Sequence, residues 1–404
     1  MSDTMTMATR VKLSAMMFLQ FMMLPVWFVP MFPYVKSMEG GAQWAFWCGL
    51  IMAFGTLSSP LFGMFADRFM NSERVLAVCN FAGAILLGYA YTVKDPQILF
   101  VVLLLTMLFY MPTWSLTATI AMSNSTTQVF PQIRVFGTLG WVASGVFSII
   151  GVKAFGINDF DKTSYIFLCG AVASLLGAGL AFVLPATPPS AKGTPMSVVD
   201  ALGLRALALF KNLEFAVFTI LILCAMVPFM WYLVYNSQYL ADKGFRYLTL
   251  TNNLGQTFEL VFLLLIPLIL KKAGYKWSMV IGLGALLFRY VSFYLGAQGF
   301  MVGDFGGILI HGLIFGLLIV GAQMYVDVKA PADLRAQAQG LIGLVLFGFG
   351  AVLSNTVFEF VLKKFTTEEG LRQWTSPFLI AAGMAAVLLV LMAVLFNPKK
   401  ESVA

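Results

Sequence analysis

The stretch from Ile98 to Met122 contains no charged residue, and stretches of this kind recur along the whole chain. About 20 mostly apolar residues in a row cover the hydrocarbon core of a bilayer as one helix. In lipid every backbone N–H and C=O must find its partner within the protein, which leaves helices and closed barrels. A barrel is written in short alternating segments, and these runs do not alternate. Only 11% of the 404 residues are charged and 60% are hydrophobic, where a soluble domain is about a quarter charged. The mean hydropathy is +0.88. The chain therefore reads as an all-α membrane protein.

Twelve transmembrane helices are expected, at about 11–36, 43–66, 73–93, 97–122, 131–154, 163–185, 213–241, 247–270, 276–297, 302–327, 336–362 and 374–397. Most connections are short. The one long polar segment, from Pro188 to Lys211, divides the chain into an N-terminal six-helix bundle (1–187), a linker (188–212) and a C-terminal six-helix bundle (213–404). Within the linker, Leu202 to Phe210 reads as a short amphipathic helix lying along the membrane face. The first apolar run is too long for a signal-peptide core and lacks a small-residue cleavage site, so it is read as an uncleaved first helix. The net charge of +7 does not indicate nucleic acid, because the basic residues are scattered over short loops. With the N-terminus inside, loops carrying Arg10, Lys12, Arg68, Arg74, Lys271, Lys272, Lys276, Lys399 and Lys400 face the cytoplasm. That side holds the excess of Lys and Arg, which places both termini inside. Cys48, Cys79, Cys169 and Cys224 all sit in apolar runs without metal-ligand spacing, and read as small hydrophobes packed between helices.

Two sets of six spans about a cytoplasmic linker resemble the plan of the major facilitator superfamily, in which substrate sits between the halves near mid-membrane. The second span ends in Gly63-Met-Phe-Ala-Asp67-Arg68, similar to the G-x-x-x-D-R loop of that superfamily. By that resemblance Asp67 and Arg68 are gating residues on the inner side.

Charge inside a span is costly and marks functional candidates. Arg134 lies near the inner end of span five, Glu259 in the middle of span eight and Arg289 in the middle of span nine; the lone histidine, His311, is in span ten. Glu359, near the outer end of span eleven, is within reach of water. Helical spacing puts Arg134, Thr138 and Trp141 on one face, Gln256 and Glu259 on another, and His311 with Phe315 on a third. If these stripes face one cavity, they suit a flat ligand rich in hydrogen-bonding groups, with aromatics against its ring and polar groups at its edges. Each also has a structural reading: Arg289 or Arg134 as an internal partner of Glu259, His311 as a bonded interior residue, Trp141 and Phe315 as packing. Pro25, Pro30 and Pro33 around Trp27 bend the first helix, which fits either a gating helix or a merely kinked one. No HExxH, Cys/His cluster or nucleophile–base pair is present, so no metal, cofactor or enzymatic activity is expected.

At these residues the chain resembles the nucleoside:proton symporter family of the major facilitator superfamily, over nearly its whole length. The likeness is carried by Phe18-Leu-Gln-Phe21 with Trp27, Leu61-Phe-Gly-Met-Phe-Ala-Asp-Arg68, Tyr110-Met-Pro-Thr113, and Phe130-Pro-Gln-Ile-Arg134-Val-Phe-Gly-Thr138-Leu-Gly140. It continues through Leu207-Ala-Leu-Phe-Lys-Asn212, Gln256-Thr-Phe-Glu259, Phe288-Arg289, His311-Gly312 and Leu334-Arg-Ala-Gln-Ala-Gln-Gly340. The resemblance implies uptake of nucleosides driven by protons across a bacterial inner (plasma) membrane, by a monomer whose partners are the solute, protons and lipid. It implies substrate contacts at Arg134, Thr138, Trp141, Gln256, Glu259, His311 and Phe315, with Asn236 and Tyr232 as looser candidates on span seven. The family commonly has Asp directly after the span-ten aromatic, where this chain has Gly316. Glu259 is then the leading proton-coupling carboxylate and His311 the second choice. Another small polar metabolite, such as a sugar or nucleobase, or an exported drug, are the alternative cargoes.

Overall fold

The computed structural model describes residues 5–125, 129–189, 192, 204–331 and 334–398. Among them the secondary structure is helical apart from one isolated bridge between Thr366 and Arg372. Among the described residues ten helices are long and apolar enough to cross a membrane; nine of them end within a few residues of expected spans, and the tenth, Leu268–Ala297, begins eight residues before the expected 276. We number the helices α1 (Met7–Ser37), α2 (Gly41–Arg68), α3 (Ser72–Ala90), α4 (Pro96–Ser123), α5 (Phe130–Ala143 continued by Val146–Lys153), α6 (Tyr165–Ala181), α7 (Leu213–Asp242), α8 (Leu248–Ala297), α9 (Met301–Lys329), α10 (Gln337–Lys364) and α11 (Thr375–Leu395). The sixth expected span is the 17-residue α6. The eighth and ninth are two arms of α8, joined at Gly274, whose φ of 69° takes it out of helical geometry. Most of the expected linker lies outside the described residues. Its end is a 3₁₀ helix over Leu204–Lys211, and the Leu202 start of the expected amphipathic helix is among those not described.

Two compact units are present. One comprises Met1–Leu202 with Lys243–Asn253, the other Gly203–Asp242 with Leu254–Ala404. In the first unit α3 packs on α6 and α4, α1 on α5, and α2 on α4; in the second α7 packs on α10 and α11.

Local sequence explains where helices begin and bend. Asp95 caps α4, its carboxylate accepting from Gln97 N (2.8 Å) and Ile98 N (3.1 Å), with Pro96 at the first helical position. α1 is three helical pieces, Met7–Met22, Pro25–Phe28 and Met31–Ser37, because Pro25, Pro30 and Pro33 have no N–H to donate to the preceding turn. α7 runs through Pro228. The carbonyls there are taken by hydroxyls: Ser354 donates to Val227 O at 2.6 Å, and Tyr290 donates to Pro228 O.

The polarity gradient is that of a membrane protein. α11 exposes Val387, Val390 and Val394, the apolar surface that lipid covers. Polar side chains are turned inward. In the N-terminal unit Gln20 is the hub of a buried cluster: it donates to Thr113 (2.5 Å), accepts from Asn80 (3.1 Å), and its carbonyl accepts from Tyr110 (2.8 Å). Cys48 and Cys79 are buried, Cys169 and Cys224 half-buried, and all four are free thiols.

Candidate functional site

In the N-terminal unit, glycines of α5 bring Arg134 against α1. A Cβ at Gly137 would come within 2.6 Å of Arg134 Nη1 and 3.0 Å of the Phe21 ring, and one at Gly140 would overlap the Phe18 carbonyl. Close approach of backbones through small residues is the usual way two membrane helices pack tightly. The guanidinium of Arg134 then lies 4.3 Å from the Phe21 ring centroid, and Phe21 stacks on Trp114 at 5.7 Å. Thr138 is buried beside it. Trp141 is half-buried, and its indole N–H has no hydrogen-bond partner among the described residues. Two aromatics, Phe21 over the guanidinium and Trp114 behind it, thus lie at Arg134, and the spacing within α5 could not indicate either.

In the C-terminal unit, the first arm of α8 and α9 cross through two glycines. A Cβ at Gly255 would stand 2.7 Å from Ile308 O, 2.9 Å from His311 Cβ and 3.3 Å from the Tyr232 hydroxyl. A Cβ at Gly312 would overlap the backbone of Glu259. The crossing places Gln256 and Glu259, one helical turn apart, beside His311. Gln256, Glu259 and His311 are all buried, and Gln256 Oε1 has no hydrogen-bond partner among the described residues. Phe315 opens a π-helical turn, Phe315–Val320, that includes Gly316; such turns inside α-helices frequently occur at functional sites.

Around His311 the side chains form an aromatic and cationic cluster. Its ring lies 5.9 Å from Phe229 (20° between planes), 5.2 Å from Tyr232 and 6.1 Å from Phe315. Arg289 reaches into this cluster from the second arm of α8. The structure does not pair it with Glu259, one of the expectations above; its partners are Gly307 O (3.0 Å from Nε), His311 Nδ1 (2.9 Å from Nη2) and the face of Tyr232 (4.0 Å). Asn236 is buried two turns from Phe229 on α7, in a tight aromatic crevice lined by Trp231, Tyr235, Tyr239, Tyr290 and Phe378. Glu359 does not simply meet water: Tyr235 donates to its carboxylate (3.0 Å) and to Asn355 (2.7 Å). Asp67 and Arg68 end α2 and are half-buried, with Arg68 Nε and Nη2 lacking a hydrogen-bond partner among the described residues.

Among the described residues three buried carboxylates, Glu73, Asp161 and Asp304, have no counterpart among the expected candidates. Asp304, in the first turn of α9, accepts from Tyr239 at 2.5 Å. Asp161, in the α5–α6 connection, accepts from Ser148 (2.5 Å), from Thr249 N (3.0 Å) and from Thr249 Oγ1 (3.2 Å), so it caps the start of α8 within the N-terminal unit. The signal for Asp304 was legible, since it falls inside the tenth expected span. Asp161 carries none, because a loop aspartate is ordinarily solvated. In the same unit Asn253, at the end of the first turns of α8, donates to Trp141 O (2.9 Å) and Ser144 Oγ (2.8 Å).

Comparison with known proteins gives this arrangement a family. The sequence profile of the nucleoside H+ symporters matches residues 7–401. The putative nucleoside transporter YegT of Escherichia coli K12 is 35% identical over 410 residues, 98% of this chain and 96% of that protein. The xanthosine permease of the same organism is 27% identical, covering 95% of each. Among solved structures, the nucleoside transporter NupG superposes with a TM-score of 0.84 at 25% identity, covering 97% of this chain and 100% of that one. A peptide transporter (TM-score 0.71, 12% identity) shares the fold alone. The chain belongs to the nucleoside H+ symporter family and is a multi-pass membrane transporter, not an enzyme.

Proposed function

We propose that the protein imports nucleosides together with protons by alternating access. The observation that carries this reading is the glycine-backed crossing of α8 and α9, which sets Gln256 and Glu259 beside His311 and Phe315. A carboxylate, an amide and an imidazole among aromatic rings match a ribose and a flat, hydrogen-bonding base. Arg134, Thr138 and Trp141 are assigned as substrate contacts on α5, and Asn236 as one on α7. Gln256 Oε1 and Trp141 N–H, which have no hydrogen-bond partner among the described residues, support this assignment by leaving an acceptor and a donor open to a solute. Glu259 is the proton-coupling group: an ionised carboxylate in a low-dielectric setting is costly, and a proton removes that cost as the site closes.

The wider architecture follows the same reading. The fold is that of the major facilitator superfamily, with twelve helices in two six-helix bundles if α6 and both arms of α8 cross the membrane. The termini lie in the cytoplasm, the protein acts as a monomer in a bacterial inner membrane, and Asp67 and Arg68 latch the inner side.

The test is uptake of radiolabelled uridine into proteoliposomes under an imposed proton gradient, acid outside. The wild-type protein accumulates substrate, and Glu259→Gln equilibrates it without accumulation. Gradient-driven accumulation by Glu259→Gln rules out the coupling assignment. Failure of every nucleoside to compete for uptake or to stabilise the protein thermally rules out the cargo.

A further inference from the structure

Arg289 is fully buried in the second arm of α8, and among the described residues no carboxylate meets it. It is held instead by a carbonyl, a ring face and an imidazole. A guanidinium carries only donors and keeps its proton in proteins. The 2.9 Å contact between Arg289 Nη2 and His311 Nδ1 therefore has one polarity: the guanidinium donates and Nδ1 accepts with its lone pair. The imidazole N–H then resides on Nε2, the nitrogen whose state is set by what the other nitrogen bonds. Nε2 makes no hydrogen bond to a described residue.

Both partners are held from several sides, although Arg289 Nη1 has no hydrogen-bond partner among the described residues. Arg289 is fixed by Gly307 O and by its seat 4.0 Å from the Tyr232 ring centroid. His311 is 2% exposed, lies against Phe229, Tyr232 and Phe315, and has Gly255 packed at its Cβ. A second proton on Nδ1 would set an N–H against the N–H of Arg289 and a cation beside a cation.

We propose that Arg289 is a positioning residue that locks His311 in its Nε2–H tautomer, so that His311 offers the substrate one fixed hydrogen-bond donor and carries no transported proton. This rests on the nucleoside reading above. Its chemical content is a specificity rule: the part of the solute that meets His311 must be an acceptor, a carbonyl oxygen, a ring nitrogen lone pair or a sugar oxygen. It removes His311 from the proton-coupling role that the sequence allowed it, and leaves that role to Glu259.

The chain has a single histidine, so protein purified through a histidine-free tag and labelled with ¹⁵N-histidine shows one imidazole ring by NMR. The expected spectrum has a protonated Nε2 and an unprotonated Nδ1, unchanged from about pH 5 to about pH 8, where a free histidine titrates. Arg289→Met is expected to release the ring into titration or mixed tautomers, and Arg289→Lys, which keeps a donor, to restore the lock in part. A doubly protonated ring or an Nδ1–H ring in the wild-type protein within that range overturns the proposal, whether or not either variant folds. In uptake, His311→Gln keeps a donor and is expected to preserve the shape of the pH profile, while His311→Phe loses about tenfold in apparent affinity. A pH profile flattened by His311→Gln would return the proton to His311 and refute the assignment. The NMR result stands independently of cargo, so failure of the nucleoside reading, seen as no competition by any nucleoside, is distinguishable from failure of the tautomer lock.

Discussion

Replacing Gly255 by alanine tests the link between backbone packing and substrate affinity. The new Cβ would lie 2.7 Å from Ile308 O and 2.9 Å from His311 Cβ. Ordinary carbon–carbon contact is about 3.5 Å, so α9 must retreat by roughly 0.6 Å at this level or carry the overlap as strain. The retreat acts on His311 directly. A bond from Nε2 to substrate would stretch by about that distance, from about 2.9 Å to about 3.5 Å, near the limit of a useful hydrogen bond, while Arg289, held by Gly307 O of the same helix, moves with His311. Losing one such bond costs about 1–1.5 kcal/mol, which is close to tenfold in an equilibrium constant. The apparent KM for uridine uptake is expected to rise about tenfold. Overpacking of this kind also costs about 1–3 kcal/mol of stability, so the thermal midpoint in detergent should fall. The control is Gly383→Ala on α11, where a Cβ meets nothing within 4 Å; KM should not move and the thermal midpoint should not fall. A Gly255→Ala protein that inserts at wild-type levels with an unchanged KM would show that the crossing does not set the site.

Other outcomes follow from the same structure. Asp161 lies outside the membrane spans, and burial pushes its carboxyl above the usual carboxylate range despite hydrogen bonds from Ser148, Thr249 and Leu248. Its folded state therefore prefers the proton, so its contribution to stability is fullest below about pH 4 and is lost as pH rises through the raised value. Asp161→Asn should flatten that part of the stability–pH curve in detergent melts, and an unchanged slope would contradict it. Tyr290→Phe leaves the Pro228 carbonyl without its hydroxyl partner in an apolar interior and should cost about 1–3 kcal/mol, read as a lower thermal midpoint. Lys329 pairs with Glu214 at 3.0 Å with both side chains partly exposed. Lys329→Ala should therefore cost less than about 1 kcal/mol, and a larger loss would mean that the pair does more than bridge two helix ends.

The helices were legible because their cause is local. A run such as Ile98 to Met122 must be a helix in lipid whatever surrounds it, and the structure begins that helix at Pro96, one residue after its capping aspartate. The prolines near Trp27 predicted a bend, and α1 is broken at both Pro25 and Pro30–Met31. Faces were legible too: Arg134 with Thr138, and Gln256 with Glu259, are neighbours by helical spacing alone. What the spacing could not supply is which helices touch. Phe21 and Trp114 come to Arg134 from α1 and α4, and Tyr232 and Arg289 come to His311 from α7 and α8. Those juxtapositions depend on long-range packing. Gln20, Asn80 and Thr113 form a buried network without any formal charge, so the cost that singles out intramembrane ions did not flag them. Pairing Arg289 with Glu259 was a reasonable charge argument, but it overlooked that a ring face and an imidazole can hold a guanidinium.

The way Arg289 is held has a consequence for how the chain enters the membrane. An arginine at the centre of an inserting helix costs about 2.5–3.5 kcal/mol. Of its three partners, Tyr232 is synthesised before it, whereas Gly307 and His311 belong to the following helix. When the second arm of α8 leaves the ribosome, its guanidinium has one ring face and no acceptor. The arm is therefore only weakly committed to lipid until α9 arrives beside it, and the two are expected to partition from the translocation channel as a pair. Nascent chains long enough to bring the second arm of α8 but not α9 out of the ribosome would remain accessible to the aqueous channel, and those that also bring out α9 would not.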